Sequence, residues 1–349
     1  MKVGLSLLTL VPGISGGSET YARELVRALG RVGRFEYRVF VPSIAADVDG
    51  VPVETVPEYR ASRSTSGRIA AMVRASVRKS AIARRFADLD VLHFPLSVMI
   101  PPVARRSATT TILDVQHEFL PQFFSRAERL YRRRVYGWSA RRSRIVVTIS
   151  RHAAETLVER LELPEERVRP IHLGIDHEVF RPGGDTRGEF LLYPARAWPH
   201  KNHPRLFEAF TELRRRHPGL ELVLTAYEGP VPKGVRSLGH VRRDELVHLY
   251  RTAAALVFPS LYEGFGQPPL EAMACGCPVA CSNVASLPEV VGDAARLFDP
   301  SSTEALVAAV EEVLADPDPW RRRGFERAAR FTWEKTAEAH DAVYEELAG

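Results

Sequence analysis

The sequence predicts an α/β protein made of two doubly wound, Rossmann-like units that face each other across a cleft. Three observations predict it. Short apolar runs alternate with helix-period segments along the chain, the pattern of a mostly parallel sheet covered by helices. A cluster of Pro182, Gly183, Gly184 and Gly188 interrupts the alternation near the middle, after which it restarts. The 349 residues are also enough for two separate cores. The expected boundaries are 1–180 for the first unit and 181–331 for the second. A last helical stretch, 332–349, is expected to pack back on the first unit.

In the first unit the strand candidates are "KVGLSLLTL", "YRVFVP", "DVLHFP", "TTTIL" and "RIVVTIS". Each is short, apolar and rich in β-branched residues, as a strand buried on both faces requires. Helical periodicity follows at 19–29, 67–87, 125–140 and 152–161. In the second unit "FLLYPA", "LELVLTAY", "VRSLGHV", "ALVFPS", "PVACS" and "ARLFDP" read as strands. Helices are expected at 204–216, 244–251, 269–274, 303–314 and finally 333–347. In open sheets of this kind ligands bind at the carboxyl ends of the strands, so loops following strands are where chemistry is sought.

Composition excludes several classes. No apolar run reaches the roughly 18 residues of a spanning helix. The start, "MKVGLSLLTLVPG", has no basic leader and no small-residue cleavage site, so it reads as a first strand, and the expected location is the cytoplasm. Cys275, Cys277 and Cys281 lack the spacing of a metal site or a disulfide framework and read as small packing residues. The net charge of +5 is uneven: residues 1–180 carry 28 Lys and Arg against 19 Asp and Glu, residues 181–349 carry 20 against 24. No acid occurs between Tyr59 and Ala87, where Arg60, Arg63, Arg68, Arg74, Arg78, Lys79, Arg84 and Arg85 accumulate, and a second basic run spans Arg126 to Arg151. Two readings stay open, solvated helix faces or a surface meeting an anionic membrane at the inner face of the plasma membrane or a phosphate-bearing acceptor. No nucleic acid partner is expected, because neither run interleaves base-stacking aromatics.

Four segments carry chemistry. "VPGISGGSETYARELVRAL" places Gly16 and Gly17 between the first strand and first helix, where free N–H groups can meet an anion. Its spacing is not that of a dinucleotide fingerprint, and no acid ends the next strand. "YPARAWPHKNHPRLFEAF" puts Arg196 after a strand and Lys201 before a helix that Asn202 can cap, a cationic pair suited to a diphosphate. "PSLYEGFGQPPLEAMACG" puts Glu263 at the mouth of a strand and Glu271 in the first turns of the next helix. Gly264, Phe265 and Gly266 lie in the loop between. These acids can hold sugar and ribose hydroxyls, or form the acid pair of a hydrolase. "TILDVQHEFLPQFFS" brings Asp114, His117 and Glu118 to a strand-end loop of the first unit.

Taken together, these segments resemble the family-4 retaining glycosyltransferases of the GT-B fold. The likeness runs over almost the whole chain, through "GGSETYARELVRAL", "QHEFLPQFFS", "TISRHAAETL", "IHLGIDHEVFRP", "ARAWPHKNHPRLFEAF" and "LVFPSLYEGFGQPPLEAMACGCPVACSNVASLPEVVGDAARLFDP". The similar subgroup holds bacterial mannosyl- and related transferases that build O-antigens, exopolysaccharides or glycolipids. The resemblance implies transfer of a hexose, with mannose as the working choice, from a GDP- or UDP-sugar to a glycan or lipid-linked acceptor, with no cofactor and no metal. It implies that Arg196 and Lys201 hold the donor diphosphate, Glu271 the ribose and Glu263 the transferred sugar, with Gly264-Phe265-Gly266 around that sugar. Gly16 and Gly17 would close over the phosphates and the Val241 backbone would meet the base. His117 would stand at the donor sugar, with Asp114 and Glu118 on the acceptor side. Many relatives carry a His directly before the Asp of this loop; here Leu113 stands there, and His117 is expected to take the role. A nucleotide-sugar hydrolase or epimerase of the same fold and an inactive membrane-associated binding protein are the competing classes.

Overall fold

The computed structural model describes residues 1–14, 16–77, 79–103 and 107–349. Arg78 of the first basic run lies outside the described residues. By internal contacts the chain divides into unit 1, Met1–Gly174 with Trp333–Gly349, and unit 2, Ile175–Thr332. The division falls six residues before the expected 180/181 boundary. Ile175 bridges Thr332, its N–H donates to the Phe331 carbonyl at 3.2 Å, and Asp176 pairs with Arg243 at 3.2 Å. The chain has therefore joined unit 2 before the Pro–Gly cluster, which lies inside that unit.

In unit 1 the described strands are β1 (Lys2–Ser6), β2 (Glu36–Val41), β3 (Val53–Thr55), β4 (Val91–Phe94), β5 (Ala108–Thr111), β6 (Ile145–Thr148) and β7 (Val168–Pro170). They form one parallel sheet in the order β3-β2-β1-β4-β5-β6-β7. The order reverses between β1 and β4, which is the topological switch point. β4, β5 and β6 are buried along their whole length, as strands covered on both faces must be. Helices α1 (Gly17–Val32), α2 (Thr65–Val77), α3 (Lys79–Arg84), α4 (Gln116–Phe119), α5 (Arg126–Arg142) and α6 (Arg151–Leu161) connect them. The helix expected over 67–87 is seen as α2 and α3 on either side of Arg78, which lies outside the described residues, and it ends at Arg84; β3 and β7 are strands that were not expected.

Unit 2 repeats the plan. Strands β8 (Phe190–Pro194), β9 (Glu221–Thr225), β10 (Val235–Ser237), β11 (Ala255–Phe258), β12 (Val279–Ser282) and β13 (Arg296–Phe298) pair in parallel in the order β10-β9-β8-β11-β12-β13. Its helices are α7 (His203–Arg216), α8 (Arg243–Thr252), α9 (Gln267–Ala274), α10 (Leu287–Val291), α11 (Thr303–Ala315) and α12 (Pro317–Ala328). The switch point lies between β8 and β11. Cys275, Cys277 and Cys281 are free and buried around the α9–β12 turn.

The last helix, α13 (Trp333–Ala348), belongs to unit 1 and packs on α1. A buried polar chain fixes it. The Thr336 carbonyl can only accept, so His340 donates to it from Nδ1 at 2.7 Å and accepts from the Tyr21 hydroxyl at Nε2, 3.0 Å away. Tyr21 then accepts from the Thr111 hydroxyl at 2.9 Å, and Thr111 accepts from His93 Nε2 at 2.7 Å. His93 Nδ1 in turn accepts from the Tyr344 hydroxyl at 2.8 Å. Both imidazoles are neutral in this scheme, and burial lowers the pKa of each, that of His340 to about 4. Beside the chain, buried Asp341 accepts from the Tyr37 hydroxyl at 2.5 Å and from the Arg34 N–H at 2.8 Å.

Candidate functional site

Arg196, Lys201 and Glu263 all follow the two strands that flank the switch point of unit 2. β8 ends at Pro194, two residues before Arg196, and β11 ends at Phe258, five before Glu263. Lys201 Nζ lies 2.6 Å from Glu263 Oε1, with each side chain 14% exposed. The Arg196 guanidinium stacks 5.5 Å from the Trp198 ring centroid and has no carboxylate partner among the described residues. His200, beside Lys201, has its pKa lowered to about 4 by burial and by the adjacent ammonium, so it is neutral there. The positive charge of the site rests on Arg196 and Lys201.

Backbone and side-chain ties hold Lys201 in place. Its carbonyl accepts from the Tyr193 hydroxyl at 2.7 Å, and the Leu261 N–H donates to the His200 carbonyl at 2.8 Å. Asn202 does not cap α7 through its side chain as the sequence led us to expect. It adopts a left-handed backbone, φ 58°, and its Nδ2 donates to the Pro259 and Pro300 carbonyls at 3.2 and 2.9 Å. It thereby ties the loop after β8 to the end of β11, which brings Lys201 and Glu263 together.

The Glu263 loop is held from the other side. The Ser286 hydroxyl lies 2.9 Å from the Glu263 carbonyl and 2.7 Å from the Phe265 carbonyl, its single O–H shared between the two. Phe265 is buried, and Gly264 is half-buried. Gly266 has φ 112°, and a Cβ there would lie 2.7 Å from Leu287 Cδ2, so glycine is required on two counts. α9 then starts with Pro268 in its first turn.

Glu271 sits on α9 and accepts from the Tyr250 hydroxyl of α8 at 3.1 Å. Burial pushes its carboxyl up to about 7, against the opposing influence of Tyr250 and Arg243. A carboxyl whose folded pKa is raised contributes most below its ordinary pKa of 4.5, and loses that contribution as the pH rises through 7. Glu271→Gln keeps an acceptor for Tyr250 and cannot ionise. It is expected to exceed wild type in stability by about 2 kcal/mol at pH 8, with the gap closing at pH 5. Denaturation of both proteins at the two pH values checks this, and an equal gap at both contradicts it. Val241, half-buried, follows β10 and Gly239, whose φ is 65°.

Unit 1 carries the remaining expected residues. Gly16 precedes α1 with φ 51°, a conformation that favours glycine, and among the described residues nothing beyond the chain neighbours lies within 4 Å of where a Cβ would stand on Gly16 or Gly17. Glu19, in the first turn of α1, accepts from the Gly13 N–H at 2.8 Å and so anchors this loop. After β5, Asp114 accepts from the Gln116 N–H at 3.0 Å. Glu118 is gripped by Arg133 through two bonds of 2.6 and 2.5 Å. The His117 ring is enclosed, edge-on to Phe124 and Tyr136, and burial lowers its pKa to about 4. Among the described residues neither ring nitrogen has a hydrogen-bond partner, although Glu118 Oε1 lies 3.3 Å from Nε2. In this arrangement His117 is a neutral, covered group.

Tyr250, Ser286 and Tyr193 were not legible in the sequence as site residues. They stand 21 residues from Glu271, 23 from Glu263 and eight from Lys201 on other elements, and only the fold brings them near. Among the described residues no group of three or more His, Cys, Asp or Glu is placed to hold a metal ion. Nor is any helix among them long and apolar enough to cross a membrane.

Two family models match the chain: Glycosyltransferase Family 4 over residues 15–179 and Glycosyl transferases group 1 over residues 175–331. The O-antigen chain mannosyltransferase B of Escherichia coli is 30% identical over 91% of this chain and 93% of its own length. The MMP alpha-(1->4)-mannosyltransferase of Mycolicibacterium hassiacum is 32% identical, over 61% of this chain and 58% of that protein. Among solved structures, a sucrose-phosphate synthase from Thermosynechococcus elongatus superposes with a TM-score of 0.81 at 20% identity, covering 99% of both chains. HepE of Anabaena, solved with UDP and glucose, gives 0.73 at 15% identity over 99% of this chain and 100% of its own.

Proposed function

Because the chain belongs to glycosyltransferase family 4, with the GT-B fold, and is a glycosyltransferase, we propose that it moves a hexosyl group from a nucleoside diphosphate sugar to an acceptor hydroxyl with retention of configuration. The mannosyltransferases among its relatives favour mannose as the sugar and GDP-mannose as the donor, with a UDP-sugar the alternative. The acceptor in this reading is a glycan or lipid-linked hydroxyl, met in the cytoplasm at the inner face of the plasma membrane.

One observation carries the proposal: the Lys201–Glu263 pair, 2.6 Å apart, at the switch point of unit 2, with Arg196 on the same loop after β8 as Lys201. A nucleoside diphosphate leaves as an anion, so the chief catalytic need is positive charge where phosphate charge develops. Arg196 and Lys201 supply it, and we take the transfer to need no metal. Glu263, held by Lys201, accepts from sugar hydroxyls. Glu271 accepts from the ribose hydroxyls, which favour its ionised form and draw its raised pKa down. The acceptor oxygen attacks the anomeric carbon on the face from which the phosphate leaves. The bond from that carbon to the β-phosphate oxygen breaks, and the hydroxyl proton passes to that oxygen.

Thermal denaturation with GDP, UDP, ADP and their sugars tests the reading. A nucleotide at about 100 times its Kd stabilises the protein by about 2.7 kcal/mol. GDP or UDP is expected to raise Tm in wild type and to lose that effect in Glu271→Ala. No shift with any nucleotide contradicts the donor site. Nucleotide release at the same rate with and without acceptor would assign hydrolysis instead, and abolition of transfer by EDTA would remove metal independence.

A further inference from the structure

Helix α2 is built inside out. Its buried residues are the alanines Ala71 and Ala75, with Met72 half-buried beside them against the unit 1 core. Ile69, Val73 and Val77, spaced four apart on one face, are 50%, 58% and 79% exposed. An ordinary surface helix turns its large apolar residues inward. α5 lies alongside, its Tyr131 hydroxyl 3.4 Å from Met72 Sδ, and it exposes Leu130 and Trp138.

The charges of this region sort into two groups. Arg85 is held by Glu54 and Glu58, Arg132 by Glu128 and Arg133 by Glu118. By contrast Arg74, Lys79, Arg134, Arg141 and Arg142 have no carboxylate partner among the described residues. Arg142 stacks on Trp138 at 5.0 Å from the ring centroid. Lys79 and Arg142 also border a crevice of about 480 Å³ whose apolar lining includes Ala83, Phe86 and Val103, with no carboxylate among the described residues that line it. Exposed aliphatic and indole side chains beside unpaired cations match the interface of an anionic bilayer, with apolar groups in the acyl boundary and bases on phosphates.

We propose that the exposed α2–α5 face of unit 1 docks on an anionic lipid surface, with Ile69, Val73, Val77, Leu130 and Trp138 inserted and Arg74, Arg134 and Arg142 on headgroup phosphates. This gives the membrane contact of the functional reading its residues, and it stands whichever nucleotide-sugar is the donor. Hydrophobic insertion gives affinity, and the unpaired bases give the preference for negative lipid.

The test is sedimentation of the full chain with phosphatidylcholine vesicles with and without phosphatidylglycerol. Wild type is expected to pellet with the anionic vesicles and not with the neutral ones. The variant Ile69→Ser/Val73→Ser/Val77→Ser changes only exposed side chains and is expected to bind anionic vesicles at least tenfold more weakly. Arg74→Gln/Arg134→Gln is expected to lose roughly tenfold as well. Both variants keep the wild-type Tm rise with nucleotide, so a failed donor assignment and a failed membrane assignment read out separately. Equal binding to both vesicle types, no binding to either, or undiminished binding by the triple variant overturns the proposal. So does a wild-type dimer that the triple variant dissolves, which would make the face a contact between copies of the chain.

Discussion

Lys201→Ala is expected to lower kcat/KM for transfer by about two orders of magnitude, the loss of about 3 kcal/mol that follows removal of one charge-stabilising donor. Two effects combine in it. The cation that meets the departing phosphate is gone, and Glu263, now without its partner at 2.6 Å, leaves an unneutralised carboxylate beside the diphosphate. Lys201→Ala/Glu263→Gln removes that repulsion and is expected to recover part of the donor affinity while kcat stays low. Glu271→Ala is expected to cost a similar factor through donor binding. Steady-state kinetics, with circular dichroism to confirm the fold, measure these; near wild-type turnover in Lys201→Ala contradicts the assignment of the diphosphate site.

Acidification from pH 7.5 to 5 is expected to loosen unit 1 at α13. His93 and His340 have folded pKa values below the ordinary 6.5, so the unfolded chain takes up protons first as the pH falls. Their contribution is present above 6.5 and is lost as the pH drops; for His340, whose folded value is about 4, the loss is about 2 kcal/mol by pH 5, and His93 adds in the same direction. The structural reason is the hydrogen-bond chain from the Thr336 carbonyl to Tyr344, in which both imidazoles act as one donor and one acceptor. A further proton turns an accepting nitrogen into a donor that faces the hydroxyl now donating to it, so the chain must rearrange around a buried charge. Denaturant midpoints at the two pH values read the loss, and amide exchange locates it in α13. His340→Leu, which cannot titrate, is expected to be weaker at pH 7.5 and to lose less on acidification. A wild-type midpoint that does not move between these pH values contradicts the account.

Much of the fold was legible because parallel strands buried on both faces write themselves as unbroken apolar runs. "ALVF" and "IVVT" are buried at every position. β3 and β7 were missed because three residues, one a proline in β7, carry no periodicity. α12 was missed for a different reason: half of "PDPWRRRGFERA" is charged, and it buries Gly324 and Ala328 rather than large side chains. At the candidate site, Arg196, Lys201, Glu263 and Glu271 were singled out because each follows a strand or stands near a helix start. What one-dimensional reading could not supply was the contact between Lys201 and Glu263, sixty-two residues apart, and the tie through Asn202 that creates it. Nor could it supply the enclosure of His117 by Phe124 and Tyr136. The basic runs were visible in the sequence, but only the packing shows which arginines are neutralised and that α2 turns its aliphatic residues outward.

The most direct test of the central claim is a crystal structure of the full chain with GDP or UDP. The account predicts diphosphate oxygens within about 3 Å of the Arg196 guanidinium and Lys201 Nζ, and ribose hydroxyls on the Glu271 carboxylate. A nucleotide bound elsewhere, or with its ribose away from Glu271, would contradict it.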